Sequence, residues 1–380
     1  MDSPFIYSTY VTGKHFVGRK DDVTILSNLM SQSENIVMYD PPKSGKRSLL
    51  QQALHNLNIA GKQFRVCDFS LMNVRTTADF ITGLGSRIIR SYATTPDEYA
   101  SFVEKYLAGT HFIFDPRAFS DRDVILSLNW DMDYEDVKAV LTLPYRISSD
   151  TRDKLYVVLD EFQNIMFTED GDRTCKLFEE VIKESSNDLC AFIMIGSMVN
   201  AMKDIFVHHG YFYRLVNRVE LTEIGAKEAI DCAVRGFLTS GKVVDRDLML
   251  GACKLFRGNM WYINHFCSIS DSLSKGYIME PILVEALGIL VSIHEPRFKA
   301  MMYDLTTFQV CFLRAVIDGH TKFSSSEVIQ KYNLSSSANV RRLKDALCKK
   351  ELITFDEKDS PVILDPLFEY WVRKTYFGIE

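Results

Sequence analysis

Apolar and polar positions along this chain follow two periods, and the period changes twice. In "DDVTILSNLM" (residues 21–30), Val23, Leu26, Leu29 and Met30 fall on one face at helical spacing. Five apolar runs follow, with helical patterns between them: "NIVMYD" (35–40), "FRVCDFS" (64–70), "KLYVVLDEF" (154–162), "LCAFIMIGS" (189–197) and "RVELTEI" (218–224). Several are continuously apolar, which suits strands buried on both faces. Strand–helix alternation predicts an α/β domain over 1–224, a mostly parallel sheet with helices on both sides. Residues 111–150 break this rhythm and read as an insertion with one helix near 134–142.

The β-type runs stop near residue 225. "GAKEAIDCAVRGFLTS", "DRDLMLGACKLF" and "EPILVEALGILVS" carry helical patterns, so 225–294 is expected to be a small all-α unit. Residues 297–380 differ again. Helix signals at 306–317, 325–331 and 336–350 precede "ELITFDEKDSPVILD", two short β runs around a polar turn at Asp356 to Ser360. Three helices and a β-ribbon is the order of a winged-helix module.

Composition narrows the functional classes. At 380 residues and 47% hydrophobic, the chain has room for two or three domains with a large core. It holds no apolar stretch long enough for a membrane span, and "MDSPFIYSTYVTGKHF" is polar and mixed, unlike a signal peptide. Eight cysteines stand singly without a C-x-x-C pair, which fits reduced thiols and a cytoplasmic location better than a disulfide framework or a zinc site. A formal net charge of −6 argues against a generic polyanion binder.

Candidate chemistry concentrates in "IVMYDPPKSGKRSLLQQAL" (36–54). Against the phosphate-loop pattern G-x-x-x-x-G-K-[ST], the register is Asp40-Pro41-Pro42-Lys43-Ser44-Gly45-Lys46-Arg47. Pro42, Lys43, Ser44, Gly45, Lys46, Arg47 and Ser48 are the candidate nucleotide contacts. Backbone N–H groups and the helix N-terminus would face phosphate oxygens, and Lys46 would add a mobile positive charge. Two positions depart. Asp40 replaces the first glycine, and Arg47 replaces the hydroxyl that ligates Mg²⁺. Arg has no acceptor, and Ser48 lies about 100° further round the helix. The plain alternative is a strand–turn–helix without a ligand.

"LYVVLDEFQNI" strengthens the nucleotide reading. An apolar strand ending in Asp160-Glu161, about 115 residues after the loop, has the form of a Walker B motif with a catalytic glutamate. Asp160 would hold Mg²⁺, and Glu161 would orient the attacking water and accept its proton. "AFIMIGSMVNAMKDIF" gives a further strand ending at Ser197, where a polar group could touch the γ-phosphate or the water; a small residue in a tight turn explains it equally well. Arg214, in "GYFYRLVNRVEL", could serve as an arginine finger in this subunit or a neighbour, or stand as an ordinary surface arginine.

With these motifs in view, the sequence resembles the prokaryotic archaeal-type and Bacteroidetes-type AAA-related ATPases, neighbours of the STAND NTPases. The pieces that carry the resemblance are "HFVGRKDDVTILSNLM", "YDPPKSGKRSLL", "VVLDEFQNI", "IMIGSMVNAMKDIF", "YFYRLVNRVELTEI" and "VILDPLFEYWVR". It implies an ASCE-type P-loop sheet, a helical lid, a C-terminal winged helix and ATP/ADP with Mg²⁺ as cofactors. By the same resemblance Gly18 and Arg19 match an N-terminal "GR" box near the nucleotide, Ser197 the sensor-like position, and Arg214 the arginine before the last strand. Asp40, Arg47 and Gly258-Asn259-Met260, where the family has Gly-x-Pro against the base, depart from its pattern.

Three functions follow as expectations: an ATPase that moves its lid and winged helix, a nucleotide-binding scaffold with little or no turnover, and a DNA-binding regulator. In the first two the partner is nucleotide together with a protein client or further copies of the chain. For the third, residues 297–380 hold thirteen Lys/Arg against eleven Asp/Glu. Arg341, Arg342, Lys344, Lys349 and Lys350 lie on the expected recognition helix, where they would meet phosphates or simply be solvated.

Overall fold

In a computed structural model, residues 3–119 and 124–379 are described, so positions 120–123 of the expected insertion lie outside the description. The chain divides into two compact units. One comprises Lys20–Asp40 and Gln52–Leu221, the other Met1–Arg19, Pro41–Gln51 and Thr222–Glu380.

The first unit opens with α1 (Lys20–Ser31) and β1 (Ile36–Tyr39); α2 (Lys46–Ile59) begins in the second unit and ends in the first. Next come β2 (Arg65–Ser70), α3 (Thr77–Arg90), α4 (Pro96–Tyr106), β3 (Phe112–Phe114), β4 (Leu126–Leu128) and α5 (Tyr134–Thr151). The unit closes with β5 (Leu155–Asp160), α6 (Gly171–Ser185), β6 (Cys190–Gly196), α7 (Val199–Lys203) and β7 (Asn217–Arg218). Five strands form a parallel sheet in the order β2-β5-β6-β1-β7. β1 and β6 are buried at every position, as their unbroken apolar runs require. Register pairs Tyr39 with Gly196 and Asp160 with Ile195, so the carboxyl ends of β1, β5 and β6 reach the same edge.

Two expectations are corrected here. The run at 218–224 contributes only Asn217–Arg218 to the ladder, with Val219 N–H adding one bond to Val37 O. The helix expected near 134–142 extends to Thr151 and buries Val140, Leu141, Leu143, Tyr145 and Ile147 against α3, α6 and the sheet. Pro144 inside it hid the continuation. An Asp133–Asp136 capping box starts it, and Arg152 in the left-handed region (φ 60) ends it.

The second unit continues through α8 (Ala226–Thr239), β8 (Val243–Val244), α9 (Arg246–Leu255), α10 (Met260–Leu273), β9 (Tyr277–Ile278) and α11 (Glu280–Tyr303). It ends with α12 (Thr307–Ile317), α13 (Ser326–Lys331), α14 (Ser337–Lys349), β10 (Ile353–Phe355), β11 (Pro361–Ile363) and α15 (Pro366–Trp371). α10 is not among the expected helices because it is apolar on most sides and shows no amphipathic period; Asn259 caps it by accepting from Trp261 N–H. α11 runs beyond the expected end near residue 294 and continues through Pro296, its far turns burying Phe298 and Met302. β10 and β11 pair antiparallel as the wing, and Asp356 accepts from Lys358 N–H and Ser360 N–H in its turn.

One hydrophobic core runs through this unit from Phe5 and Phe237 through Phe256 and Phe298 to Phe312, Phe368 and Trp371. Polar ties add to it. Asp365 caps α15 and accepts from Tyr262 Oη at 2.9 Å and from Arg297. Arg257 donates to Ile363 O at 2.8 Å and pairs with Glu369. The helices after residue 225 and the winged-helix elements are therefore packed as one body.

Candidate nucleotide site

The phosphate loop belongs to the second unit. It leaves the apolar strand β1 through Asp40 and turns sharply, with Lys43 (φ 66) and Gly45 (φ 101) at positive φ. Such alternation curls successive N–H groups into an anion-binding concavity. Gly45 has a second reason to be glycine: a Cβ there would lie 2.8 Å from Arg19 Nη1. Arg19 Nη1 donates to Ser44 O at 2.7 Å, and its Nε donates to Thr222 O at 2.7 Å. Arg19 therefore ties the loop to the segment at Thr222, while Gly18 beside it lies against Ile224 and Glu228. Lys46 is 7% exposed, and its ammonium donates to Pro41 O at 2.8 Å and to Ser44 Oγ at 3.3 Å. It lies across the mouth of its own loop. Pro42 and Lys43 are exposed, and the Lys43 ammonium stands 5.5 Å from the Trp261 ring centroid.

Arg47 and Ser48 lie in the first turn of α2 and are half-buried. Ser48 Oγ accepts from Val11 N–H at 3.1 Å, so it turns to the N-terminal segment and does not replace the missing hydroxyl. As a donor set, the cationic loop suits phosphate. It does not suit Mg²⁺ in the usual way, because Arg47 offers no lone pair where the pattern has a hydroxyl.

The acidic pair belongs to the first unit. Asp160 ends β5. Glu161 is left-handed (φ 55) and turns the chain into a short 3-10 helix, Phe162–Phe167. A non-glycine residue held there is strained, and packing around it supplies the restraint. Phe162 is fully buried against Phe178, Phe206 and Phe212. Glu161 Oε2 accepts from Ser197 Oγ at 2.6 Å and from Gln163 Nε2 at 2.7 Å. The register explains the first contact, since Asp160 lies opposite Ile195 and Ser197 is two residues on. The sequence points to Ser197 but gives no role to Gln163, whose one signal is its place in the string "DEFQ".

Arg214 (φ 61) stands on an exposed loop with its guanidinium 5.2 Å from the Tyr213 ring centroid. On α14, Arg341, Arg342 and Lys349 are exposed, as is Lys350 at its C-cap. Lys344 is not available in the same way: it pairs with Asp359 of the wing turn and lies 3.9 Å from the Phe355 ring centroid. His111, Asp133 and Asp136 also cluster, but Asp136 is occupied by the capping box and by the His111 N–H and ring.

Residues 296–374 match a family model described as "Probable winged helix domain". No curated protein matches the chain by sequence. By structure it is similar to a Walker-type ATPase of Pyrococcus abyssi, with 16% identity, 97% of this chain and 99% of that one covered, and a TM-score of 0.68. It is also similar to the Aeropyrum pernix ORC2 protein in ADPNP–ADP complexes, with 12% identity, coverage of 96% and 93%, and a TM-score of 0.57. Among the described residues, no helix is long and apolar enough to cross a membrane. The chain thus has the fold of the AAA-related P-loop ATPases and ends in a winged-helix domain.

Proposed function

We propose that this chain binds ATP and ADP through the loop at Pro42–Ser48 and hydrolyses ATP slowly. The observation that carries the reading is the Gly45–Lys46 loop, bent at positive φ and closed over by a nearly buried lysine. The acidic pair supports it, since β1 and β5 flank β6 and end at the same edge of the parallel sheet. Lys46 exchanges Pro41 O and Ser44 Oγ for phosphate oxygens, an exchange of neutral acceptors for charged ones. Arg19 fixes the loop carbonyl of Ser44 while this happens. Glu161 orients a water and accepts its proton, and Ser197 holds the glutamate. Arg214 serves a neighbouring copy, for which an exposed loop position is suited.

Mg²⁺, when bound, neutralises phosphate charge, and Asp160 is the residue that would hold it. Arg47 takes part of that role by pairing with phosphate oxygens, so nucleotide binding depends weakly on the metal. The shared core after residue 225 supports a lid and winged helix that respond to nucleotide as one body.

The test is calorimetric titration with ATP and with ADP, first with Mg²⁺ and then with EDTA, followed by assay of released phosphate. Binding that survives EDTA, is lost in Lys46→Ala and ends in slow phosphate release is the expected result. Absence of binding under both conditions would refute the reading. Binding without any phosphate release would leave the nucleotide-dependent scaffold in its place. A second reading, DNA binding, is favoured by the exposed Arg341, Arg342 and Lys349 of α14 and Lys350 at its C-cap.

A further inference from the structure

We infer that Gln163 is a positioning residue for hydrolysis, one that fixes the rotamer of Glu161 together with Ser197. The inference rests on the reading of Glu161 as the base. Glu161 sits at a left-handed turn directly after a strand, where neither strand pairing nor helix packing fixes its side chain. Its position is instead set by two donors on a single oxygen. Gln163 Nε2 and Ser197 Oγ both donate to Oε2, at 2.7 and 2.6 Å. With Oε2 tied, Oε1 is the oxygen that meets the proton of an attacking water. Fixing the base before the reaction removes the cost of ordering it in the transition state.

The surroundings of Gln163 are built for this contact. Its side chain is buried, at 2% exposure, on the first turn of the 3-10 helix that Glu161 opens. The carboxylate dictates which end of the amide faces it, because only the nitrogen can donate. The amide oxygen is left buried with no partner among the described residues. An orphan buried carbonyl is costly, and it is tolerated here for the sake of the bond at the other end. Space for the amide comes from Gly196, the last residue of β6: a Cβ there would lie 2.7 Å from Gln163 Oε1 and 2.4 Å from Met202 Cγ. Gly196 and Ser197 thus act as a pair, the first leaving room for Gln163 and the second supplying the other donor. A merely structural glutamine would not need its donor end on the Glu161 carboxylate.

Two variants separate positioning from packing. Gln163→Met keeps length and apolar bulk but removes the donor. Gln163→Asn keeps the amide but withdraws it by about one C–C bond, roughly 1.5 Å. Single-turnover hydrolysis of ATP, equilibrium binding of a non-hydrolysable ATP analogue and thermal unfolding are measured on full-length protein. The expected result is a fall in rate of about ten- to a hundred-fold in both variants, with analogue affinity within about two-fold of wild type and little change in unfolding. A wild-type rate in either variant overturns the inference. So does a parallel loss of rate and affinity, which would make Gln163 a packing residue. If wild-type protein itself releases no phosphate, the reading of the chain as an ATPase fails first, and the inference falls with it; measurable wild-type turnover with unaffected variants sinks the inference alone.

Discussion

Replacing Asp365 with alanine is expected to loosen the winged helix from the helices before it. Three interactions end on this carboxylate. It caps α15 by accepting from Leu367 N–H at 3.0 Å and Phe368 N–H at 3.1 Å. It accepts from the buried Tyr262 Oη at 2.9 Å, and it pairs with Arg297. Loss of an Asp cap costs about 0.5–2 kcal/mol. Tyr262 Oη would keep the Arg297 Nη2 donor at 3.3 Å but lose its own acceptor, and a buried donor left unpaired costs about 1–3 kcal/mol. The Arg297 side chain is 50% exposed and regains water, so its share stays below about 1 kcal/mol. The expected loss is about 1.5–6 kcal/mol. Asp365→Asn keeps the cap and an acceptor for Tyr262, so it should lose less than half as much. Trp261 and Trp371 both lie in this unit, whereas Trp130 lies in the other. Urea unfolding followed by tryptophan fluorescence in a Trp130→Phe background therefore reports on the right unit. A change below about 0.5 kcal/mol for Asp365→Ala would show that the shared apolar core alone joins these elements and that the Asp365 contacts contribute nothing.

Arg47→Thr restores a hydroxyl ligand and should raise turnover and make nucleotide binding metal-dependent; calorimetry with and without EDTA checks it, and an unchanged metal response would refute the role given to Arg47. His265 is held below its ordinary pKa by burial, and His294 by burial and by Arg297 and His265, while Asp365 pulls His294 the other way. Neither His265 Nδ1 nor His294 Nε2 has a hydrogen-bond partner among the described residues. A depressed histidine pKa means the unfolded chain takes up the proton first, so this stability is complete above about pH 6.5 and is lost as pH falls toward the folded values. His111, raised by its hydrogen bond to Asp136, has the opposite sign and is common to wild type and variant. His265→Phe should therefore lose less stability than wild type between pH 7.5 and 5.5 in thermal unfolding; equal slopes would refute it. If the winged helix binds DNA, Arg341→Ala with Arg342→Ala should lower affinity for duplexes of any sequence and reduce the slope of log affinity against log salt by about two. Binding without salt dependence would exclude this surface.

The sequence by itself determined the elements whose cause is local. Unbroken apolar runs such as "IVMY" and "AFIMI" can bury both faces only in the middle of a parallel sheet, so β1 and β6 were legible. The Gly45–Lys46 loop, the acidic end of β5 and the helix–helix–helix–wing order were legible for the same reason: backbone geometry and side-chain spacing are fixed within a few residues. Tertiary structure decided which partner each polar group takes. Ser48 turns to Val11, Arg19 to Ser44 and Thr222, Lys344 to Asp359, and Asp365 to Tyr262 and Arg297. Gln163 lies two positions from Glu161, yet its role needed Gly196 and Ser197, brought in by the neighbouring strand. The same holds for α5 and α11, which run on past the points where local pattern would end them because packed neighbours cover their far turns. Hydrophobic period is written into neighbouring residues and survives in a string of letters. A hydrogen bond across a fold depends on residues tens to hundreds of positions apart, and only the folded chain selects among the acceptors they offer.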